Sequence, residues 1–395
     1  MKKGKKISLI DLSMLLIVVI TLAFHDNPVL LATTQLIGCA IIYFFRISKE
    51  KISFSKTLYA FWLGAFIIWG SLSIFWASHS SNVWITVRSI LQVAMTGFAI
   101  LLYINDDSKI EKMINYISYG SIMLILRLVL IVPSYAWGSE RVGNYIGYGN
   151  NSAALVLSYA SIFTFYAFMK NKKKKSLLFT GVFILFSLLC GSKKALIISA
   201  LGIGVQLILN AKSPIQVLKK VFFSLIITMM LVYLVMNVDF LYNVLGIRIE
   251  EMLLALSGKK GGDMSTLDRM LFARNAFEVF LKHPFVGVGL DNYRFNNYMT
   301  YYAHNNYLEI AADLGIIGVL LYYWFPVKLL INSISKKKIV IIIMTFVILV
   351  MDVANVSYET DSIHLYIATI YAMFLQFNNN SIKEVNNEKK IIKNI

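Results

Sequence analysis

The chain has 395 residues, of which 58% are hydrophobic and 15% are charged, and its mean hydropathy is +0.67. Soluble globular domains average about 45–50% apolar and about 25% charged residues. This composition excludes a soluble enzyme of two or three ordinary domains, and 2 cysteines are too few for a disulfide scaffold. The net charge of +17 does not indicate a nucleic-acid partner, because lysine gathers in the cytoplasmic loops of membrane proteins.

Apolar stretches that could cross a bilayer recur along the whole chain. They predict an all-α, polytopic integral membrane protein with about twelve transmembrane helices, since each crossing takes about 20 residues. The first is interpreted as an uncleaved helix, because no small-residue cleavage site follows it. The predicted spans lie near residues 8–24, 29–45, 57–77, 83–104, 113–132, 151–169, 176–191, 194–210, 220–240, 305–330, 339–354 and 362–377.

These spans divide the chain into four regions. Residues 1–240 hold the first nine predicted helices, 241–303 a large extracytoplasmic loop, 304–377 the last three helices, and 378–395 a flexible cytoplasmic tail. The composition is that of an inner-membrane protein. The connecting segments alternate in lysine content, which by the positive-inside rule places both termini in the cytoplasm. The alternation requires two separate helices on either side of Gly191.

The segment 241–303 stands out by its length, since loops of that size in a compact architecture are usually functional. Ser265 to Asp268 resembles a capping box, and helical periodicity follows from Arg269 to Lys282. The sequence His283-Pro284 ends the pattern. We therefore predict a helix that lies along the outer membrane surface.

The arginines are distributed opposite to the lysines. Only Arg46 falls on the predicted cytoplasmic side, although the positive-inside rule draws Arg inward as readily as Lys. Because Arg binds phosphate or carboxylate through a planar fork, this distribution indicates a diphosphate ligand outside. The outward arginines are Arg88, Arg127, Arg141, Arg248, Arg269, Arg274 and Arg294.

Two of these arginines, Arg88 and Arg127, lie a few residues inside their spans. Snorkelling toward the interface and an inward-facing role in a polar cavity explain them equally well. Glu309 and Asp313, early in the tenth span, are candidates to pair with some of the arginines. For both acids a structural pairing is favoured over direct chemistry.

Three segments predicted on the outer side carry polar residues. Residues 141–155 contain a glycine-rich turn and an Asn-Asn-Ser sequence suited to cap the next helix. Residues 269–290 contain the surface helix and a glycine-rich end. Residues 303–318 place His304 at the outward end of a membrane helix, followed by glycines that permit close helix packing.

Taken in order, these segments resemble the O-antigen ligase and polymerase family (Wzy/WaaL). The family pattern has an Arg-x-Gly turn before a GNPN-like helix start, then a Ser-Arg pair at the outer end of a span. It continues with an Arg-led helix that ends in Pro-x-x-Gly-x-Gly, and with a His-Asn at the start of the next span. The corresponding residues are Arg141 with Gly143, Ser192 with Lys193, Arg269 with Pro284, Gly287 and Gly289, and His304 with Asn305.

The sequence departs from the family pattern in two places. GNPN is replaced by GNNS at residues 149–152, and the family's Ser-Arg is Ser192-Lys193. A lysine is a point charge and lacks the fork of arginine. Lys194 beside it is a candidate to compensate.

The resemblance implies a membrane glycosyltransferase that acts on undecaprenyl-diphosphate-linked oligosaccharides at the outer face of the cytoplasmic membrane, without nucleotide sugar, cofactor or metal. It favours a polymerase that joins repeat units into capsule, exopolysaccharide or O-antigen. The implied partners are the lipid-linked oligosaccharide, membrane lipids, and flippase and chain-length regulator proteins. Two alternatives stay open: a ligase that moves the finished glycan to another acceptor, and a transporter or flippase of lipid-linked sugars.

On this resemblance, His304 is predicted as the general base and Arg269 as the cation that stabilises the diphosphate leaving group, with inversion at the anomeric carbon. Arg141 and Lys193 are expected to support Arg269, and Glu309 to orient His304. Arg274 is at the right spacing for a surface pair with Glu278, which is favoured over substrate binding. The remaining candidates for substrate binding are Lys194, Asn305, Arg88 and Arg127.

Overall fold

The computed structural model describes residues 8–47, 53–257, 264–296 and 300–393. Within these ranges the chain forms helices and no strands, which confirms the predicted all-α fold. The lysine-rich residues 1–7 and part of the predicted cytoplasmic loop 46–56 lie outside the described residues.

The helices of the described ranges are numbered in chain order. The first nine are α1 (Leu9–Ala23), α2 (Pro28–Ile47), α3 (Phe54–Leu72), α4 (Ser80–Tyr103), α5 (Asp107–Ile131), α6 (Asn150–Asn171), α7 (Lys174–Leu189), α8 (Lys193–Leu209) and α9 (Pro214–Asn237). The others are α10 (Asp239–Leu241), α11 (Ile247–Leu256), α12 (Met264–Lys282), α13 (Asn306–Ser335), α14 (Ile339–Met351) and α15 (Asp361–Lys393).

Each of the twelve predicted spans corresponds to one of these helices. Among the described residues, seven helices are long and apolar enough to cross a bilayer, namely α2, α3, α4, α5, α6, α9 and α13, and α1 and α14 are shorter apolar helices. A polytopic membrane protein is therefore the correct class. The joint at Gly191 separates α7 from α8, as the lysine alternation required.

The helices pack into one bundle with a continuous apolar core. α1 contacts α2 and α5, while α4 contacts α2, α3 and α15. On the other side, α8 contacts α6, α9 and α14, and α13 contacts α3, α12 and α14. We call the end of the bundle that carries residues 132–149, 238–257, 283–296, 300–305 and 352–360 the loop end.

Helix α9 is the least covered of the long helices. Only Val235 is buried, whereas Phe222, Met229 and Tyr233 are each at least 64% exposed. An apolar surface that extends along a whole helix is unusual on a water-exposed protein. The exposed face of α9 is therefore suited to lipid.

The large loop contains the predicted surface helix as α12, which ends at Lys282 as expected. The predicted cytoplasmic tail has a helical backbone, because α15 continues through it to Lys393. The predicted Asn-Asn-Ser cap is wrong. Gly149 precedes α6 without a side-chain cap, and the Asn151 amide oxygen instead accepts a hydrogen bond from Arg141.

Candidate functional site

Four cations come together at the loop end: Arg141, Lys193, Lys194 and Arg269, which we call the cation group. The charges of the other three all act on the ammonium of Lys194, which is itself buried. The Lys193 Nζ lies 3.5 Å from the Thr266 hydroxyl and so links α8 to the first turn of α12. Residues that are up to 128 positions apart in the sequence thus meet at one place, as the ordered motifs predict.

Gly191 makes this meeting possible. Its φ of +67° is in the left-handed region that favours glycine. A Cβ at this position would lie 3.2 Å from the Cγ of Arg141 and 2.9 Å from the carbonyl oxygen of Val244. The tight turn between α7 and α8 therefore leaves room for the Arg141 side chain beside the two lysines.

His304 lies just before α13 in a strained position, with a φ of +55° that is rare for a residue with a Cβ. Its two neighbours are held in place. The Ala303 amide donates to the Glu309 carboxylate, and the Asn305 side chain caps α13 by accepting from the Leu308 amide at 3.1 Å. Glu309 thus orients the backbone before His304, whereas the sequence suggested a contact with the ring.

The imidazole of His304 lies between aromatic rings and near the cation group. Its centroid is 4.1 Å from that of Tyr302 and 6.1 Å from that of Phe272. Burial, followed by the charges of Arg269 and Lys194, lowers the pKa of His304 to about 4. The ring is therefore neutral at neutral pH and able to accept a proton.

The glycine-rich motif after α12 docks onto a break in α13. Gly315 has a φ of +66° and interrupts this helix nine residues after its start, so the carbonyls before it lose their intrahelical partners. The Val288 amide donates to the Ala312 carbonyl at 3.0 Å, and the Gly289 amide donates to the Asp313 carbonyl at 2.8 Å. The loop backbone thus completes the broken helix.

Side chains at the break complete the same junction. The Asp313 carboxylate accepts from the backbone amides of residues 291, 292 and 293 at 2.7–3.0 Å, and the Trp69 indole donates to the Leu314 carbonyl at 3.1 Å. In the part of the chain that the structure describes, Asp313 and Glu309 therefore accept hydrogen bonds from backbone amides. The arginine partners expected from the sequence are not what holds them.

Replacing Gly287 by alanine should destabilise the loop end. Gly287 has a φ of +67°, and a Cβ there would lie 2.2 Å from the Asp313 carbonyl carbon and oxygen. The left-handed backbone alone costs about 1–2 kcal/mol for a residue with a Cβ, and the clash adds to it. We expect a lower unfolding temperature in detergent.

Gly181→Ala is the matched control for Gly287→Ala. Gly181 lies inside α7, and a Cβ added there would meet nothing within 4 Å, while alanine favours helix by up to about 1 kcal/mol over glycine. This control should be neutral or stabilising. An unfolding temperature of Gly287→Ala equal to that of the wild type would contradict the docking of the loop on α13.

A buried polar network fixes the loop between α14 and α15. The Asn306 side-chain oxygen accepts from the amides of Ser357 and Tyr358 at 2.8 and 3.1 Å. The Asp352 carboxylate accepts from the hydroxyls of Ser357 and Tyr323 at 2.6 and 2.9 Å. In the same loop, the Ala354 carbonyl accepts from the Lys194 ammonium. The cation group and the loop 352–360 are therefore held together.

Two hollows open at the loop end. One of about 700 Å³ is lined by Arg141 and Arg248 among other polar residues. The other, of about 250 Å³, includes Tyr302, Glu309 and Glu359 in its wall. The first thus adjoins the cation group, and the second adjoins His304 through Tyr302.

The remaining predicted residues lie away from this meeting point or have structural partners. Arg127 pairs with both carboxylate oxygens of Asp26 at 2.7 and 3.0 Å, and the guanidinium lowers the pKa of Asp26. Arg88 is exposed in a groove between α2 and α4. Arg274 forms the surface pair with Glu278, at 3.1 Å.

Sequence reasoning did not find several residues of this region. It assigned no individual role to Arg294, which pairs with Asp291 beside the docked loop, or to Glu359 in the smaller hollow. The sequence signal for Glu359 is its place in an acidic stretch between two apolar spans. The sequence indicated a helix-packing role for Gly315. A glycine at a helix break and a glycine at a packing contact look the same in the sequence.

A comparison with protein families supports the motifs. The family model described as O-antigen ligase matches residues 177–323, which include Lys193, Lys194, Arg269 and His304. No curated protein matched the chain. The chain is thus a multi-pass membrane protein, and its residues 177–323 are similar to the O-antigen ligase family. The resemblance inferred from the ordered motifs is confirmed: the chain carries an O-antigen ligase family domain at residues 177–323.

Proposed function

We propose that this protein polymerises undecaprenyl-diphosphate-linked oligosaccharide repeat units at the outer face of the bacterial cytoplasmic membrane. The observation that carries the proposal is the meeting of four cations and a neutral imidazole at one end of a helical bundle. Cations suit a diphosphate, and a neutral imidazole suits the deprotonation of a sugar hydroxyl. The proposed reaction uses the lipid diphosphate as its leaving group and so needs no nucleotide sugar.

The distribution of lysine supports an outward-facing site. The helix connections at the opposite end carry Lys172 to Lys175, Lys212, and Lys336 to Lys338. By the positive-inside rule this end would face the cytoplasm. The loop end would then lie outside, where flipped lipid-linked sugars are presented.

The cation group would stabilise the leaving group. As the bond between the anomeric carbon and the diphosphate oxygen breaks, the electron pair leaves with the diphosphate and its charge grows. Cations held in place before the reaction are the strongest available stabilisation. Arg269 offers a bidentate fork, and Arg141, Lys193 and Lys194 add charge nearby.

His304 would act on the attacking sugar. A hydroxyl of the acceptor forms the new bond to the anomeric carbon and gives its proton to the imidazole. Attack from the face opposite the diphosphate inverts the anomeric configuration. The strained backbone and the two aromatic neighbours keep the ring in one orientation, so no reorganisation is needed at the moment of reaction.

Two other functions are alternatives for the same site. A ligase would carry out the same chemistry with another acceptor. A transporter would use a discontinuous helix to line a substrate path near the middle of the membrane. The break in α13 supports the enzyme over the transporter, since loop amides and Trp69 fill it.

The test is incubation of the purified protein with lipid-linked repeat units and no nucleotide. A ladder of chain lengths on undecaprenyl diphosphate is the expected result. Transfer of one preformed glycan to a separate acceptor would identify the ligase instead. Movement of intact lipid across a vesicle membrane without any new glycosidic bond would overturn the enzyme.

The pH dependence of chain growth should separate His304 from an ordinary histidine. Its imidazole has a pKa of about 4, so the base form persists as the pH falls through 6.5 and is lost only near pH 4. We expect the His304 limb near pH 4 in the profile of kcat/KM, which reports the free enzyme. Measurement in parallel with Glu359→Gln is needed, because burial raises the pKa of Glu359 to about 7. A limb near pH 6.5 that persists in this variant would contradict the assignment.

A further inference from the structure

The smaller hollow at the loop end has the lining of a sugar site. Its wall combines carboxylates, a guanidinium, a phenol, an amide and hydroxyls, and its volume of about 250 Å³ is just below the roughly 300–1,000 Å³ typical of sites for drug-sized ligands. It therefore suits a small polyhydroxy group. The residues that carry these groups are Glu309, Glu359, Arg294, Tyr302, Asn355 and Thr360.

Of the two carboxylates in this wall, Glu359 is the one that accepts no hydrogen bond from the described residues. Among the described residues no donor contacts its half-buried carboxylate, whereas Arg294 pairs with Asp291 and Glu309 accepts from the Ala303 amide. Burial raises the pKa of Glu359, the charges of Asp291 and Asp361 raise it further, and the charge of Arg294 acts in the opposite direction. A partly buried carboxylate without donors is costly, and adjacent sugar hydroxyls would supply them.

The hollow lies against both parts of the proposed machinery. Tyr302 in its wall packs on the His304 imidazole, with 4.1 Å between the ring centroids. Asn355 in its wall follows Ala354, whose carbonyl accepts from the Lys194 ammonium. A sugar in the hollow would thus contact Tyr302, which packs on the base, and would lie near the loop that holds the cation group.

We propose that this hollow is the acceptor subsite, and that Glu359 binds hydroxyls of the acceptor's terminal sugar. The inference rests on the proposed function, since it assigns one of the two substrates of that reaction. The carboxylate accepts hydrogen bonds from the sugar, which places a neighbouring hydroxyl toward His304. Glu359 is a binding residue in this scheme, and the proton passes to the imidazole.

Glu359→Gln tests the subsite, because the amide keeps the shape of the side chain and removes its charge. The acceptor probe is the free repeat-unit oligosaccharide, released from its lipid by mild acid. With saturating lipid-linked donor, we expect the acceptor KM to rise about ten- to a hundredfold, the size of hydrogen bonds to a charged group. The donor KM and kcat should change far less, and Glu359→Asp should recover part of the loss.

Glu111→Gln is the matched control. Glu111 is exposed near the start of α5, at the end of the bundle opposite the loop end, and its replacement should leave both KM values unchanged. Calorimetric titration of the same oligosaccharide into the purified protein gives a second readout that needs no turnover. Binding that Glu359→Gln weakens supports the subsite even if no chain growth occurs, in which case the proposed function fails alone. Unchanged binding and acceptor KM, or a rise in the donor KM only, would overturn the subsite while chain growth persists.

Discussion

His304→Ala should lower the rate of chain growth by about 10²–10⁴-fold, the usual contribution of a general base. The imidazole is neutral, since its pKa is lowered to about 4. It packs on Tyr302, and Tyr302 lines the proposed acceptor subsite. Without it, the attacking hydroxyl would have to lose its proton to water. The measurement is the initial rate of chain growth by purified protein on lipid-linked repeat units.

The control is His283→Ala, which removes an exposed imidazole at the end of α12. It leaves the backbone carbonyl that accepts from the Gly287 amide, so normal activity is expected. Protein level and unfolding temperature should match the wild type in both variants. Wild-type rates in His304→Ala would refute the base assignment and leave the cation group as the main support for catalysis.

Arg269→Lys should also be strongly impaired, by about 10²–10³-fold in kcat, the loss typical when one preorganised charge-stabilising group is removed. Arg269 lies close enough to the His304 ring and to Lys194 for its charge to act on both. A lysine keeps the charge but loses the two parallel donors that fit a phosphate. The effect should appear in kcat more than in the donor KM, because charge on the diphosphate grows in the transition state.

Arg46→Lys provides the same substitution at the far end of the bundle, where Arg46 lies 3.4 Å from the Asn105 side-chain oxygen. It should retain full activity. If Arg269→Lys is equally active, plain positive charge suffices at this position. If Arg269→Gln is active as well, the leaving group is stabilised elsewhere and the proposed mechanism fails.

The spans could be predicted because bilayer thickness and apolar run length are both local properties. The two helices on either side of Gly191 followed from lysine alternation, and α12 followed from its periodicity and the proline after it. The ordered motifs predicted a site made of Arg141, Lys193, Arg269 and His304; the fold places these residues at the loop end, and their roles stay a prediction.

The details that were missed depend on contacts between distant segments. The break at Gly315 is stabilised by a loop whose amides donate to the carbonyls before it. The sequence of α13 alone contains no sign of these donors. Arg127 was ambiguous until Asp26 was found beside it. Glu359 became a candidate only because the fold places its carboxylate in a hollow where no donor of the described residues contacts it.

The docking of the 284–293 loop on α13 has a consequence for biogenesis. The carbonyls of Ala312 and Asp313 receive their hydrogen bonds from the amides of Val288 and Gly289, which are synthesised before α13. In hydrocarbon, each unsatisfied backbone group costs several kcal/mol. In the proposed orientation, with the loop end outside, stable insertion of α13 would depend on this loop, and nascent chains that lack residues 284–293 should fail to integrate the helix stably.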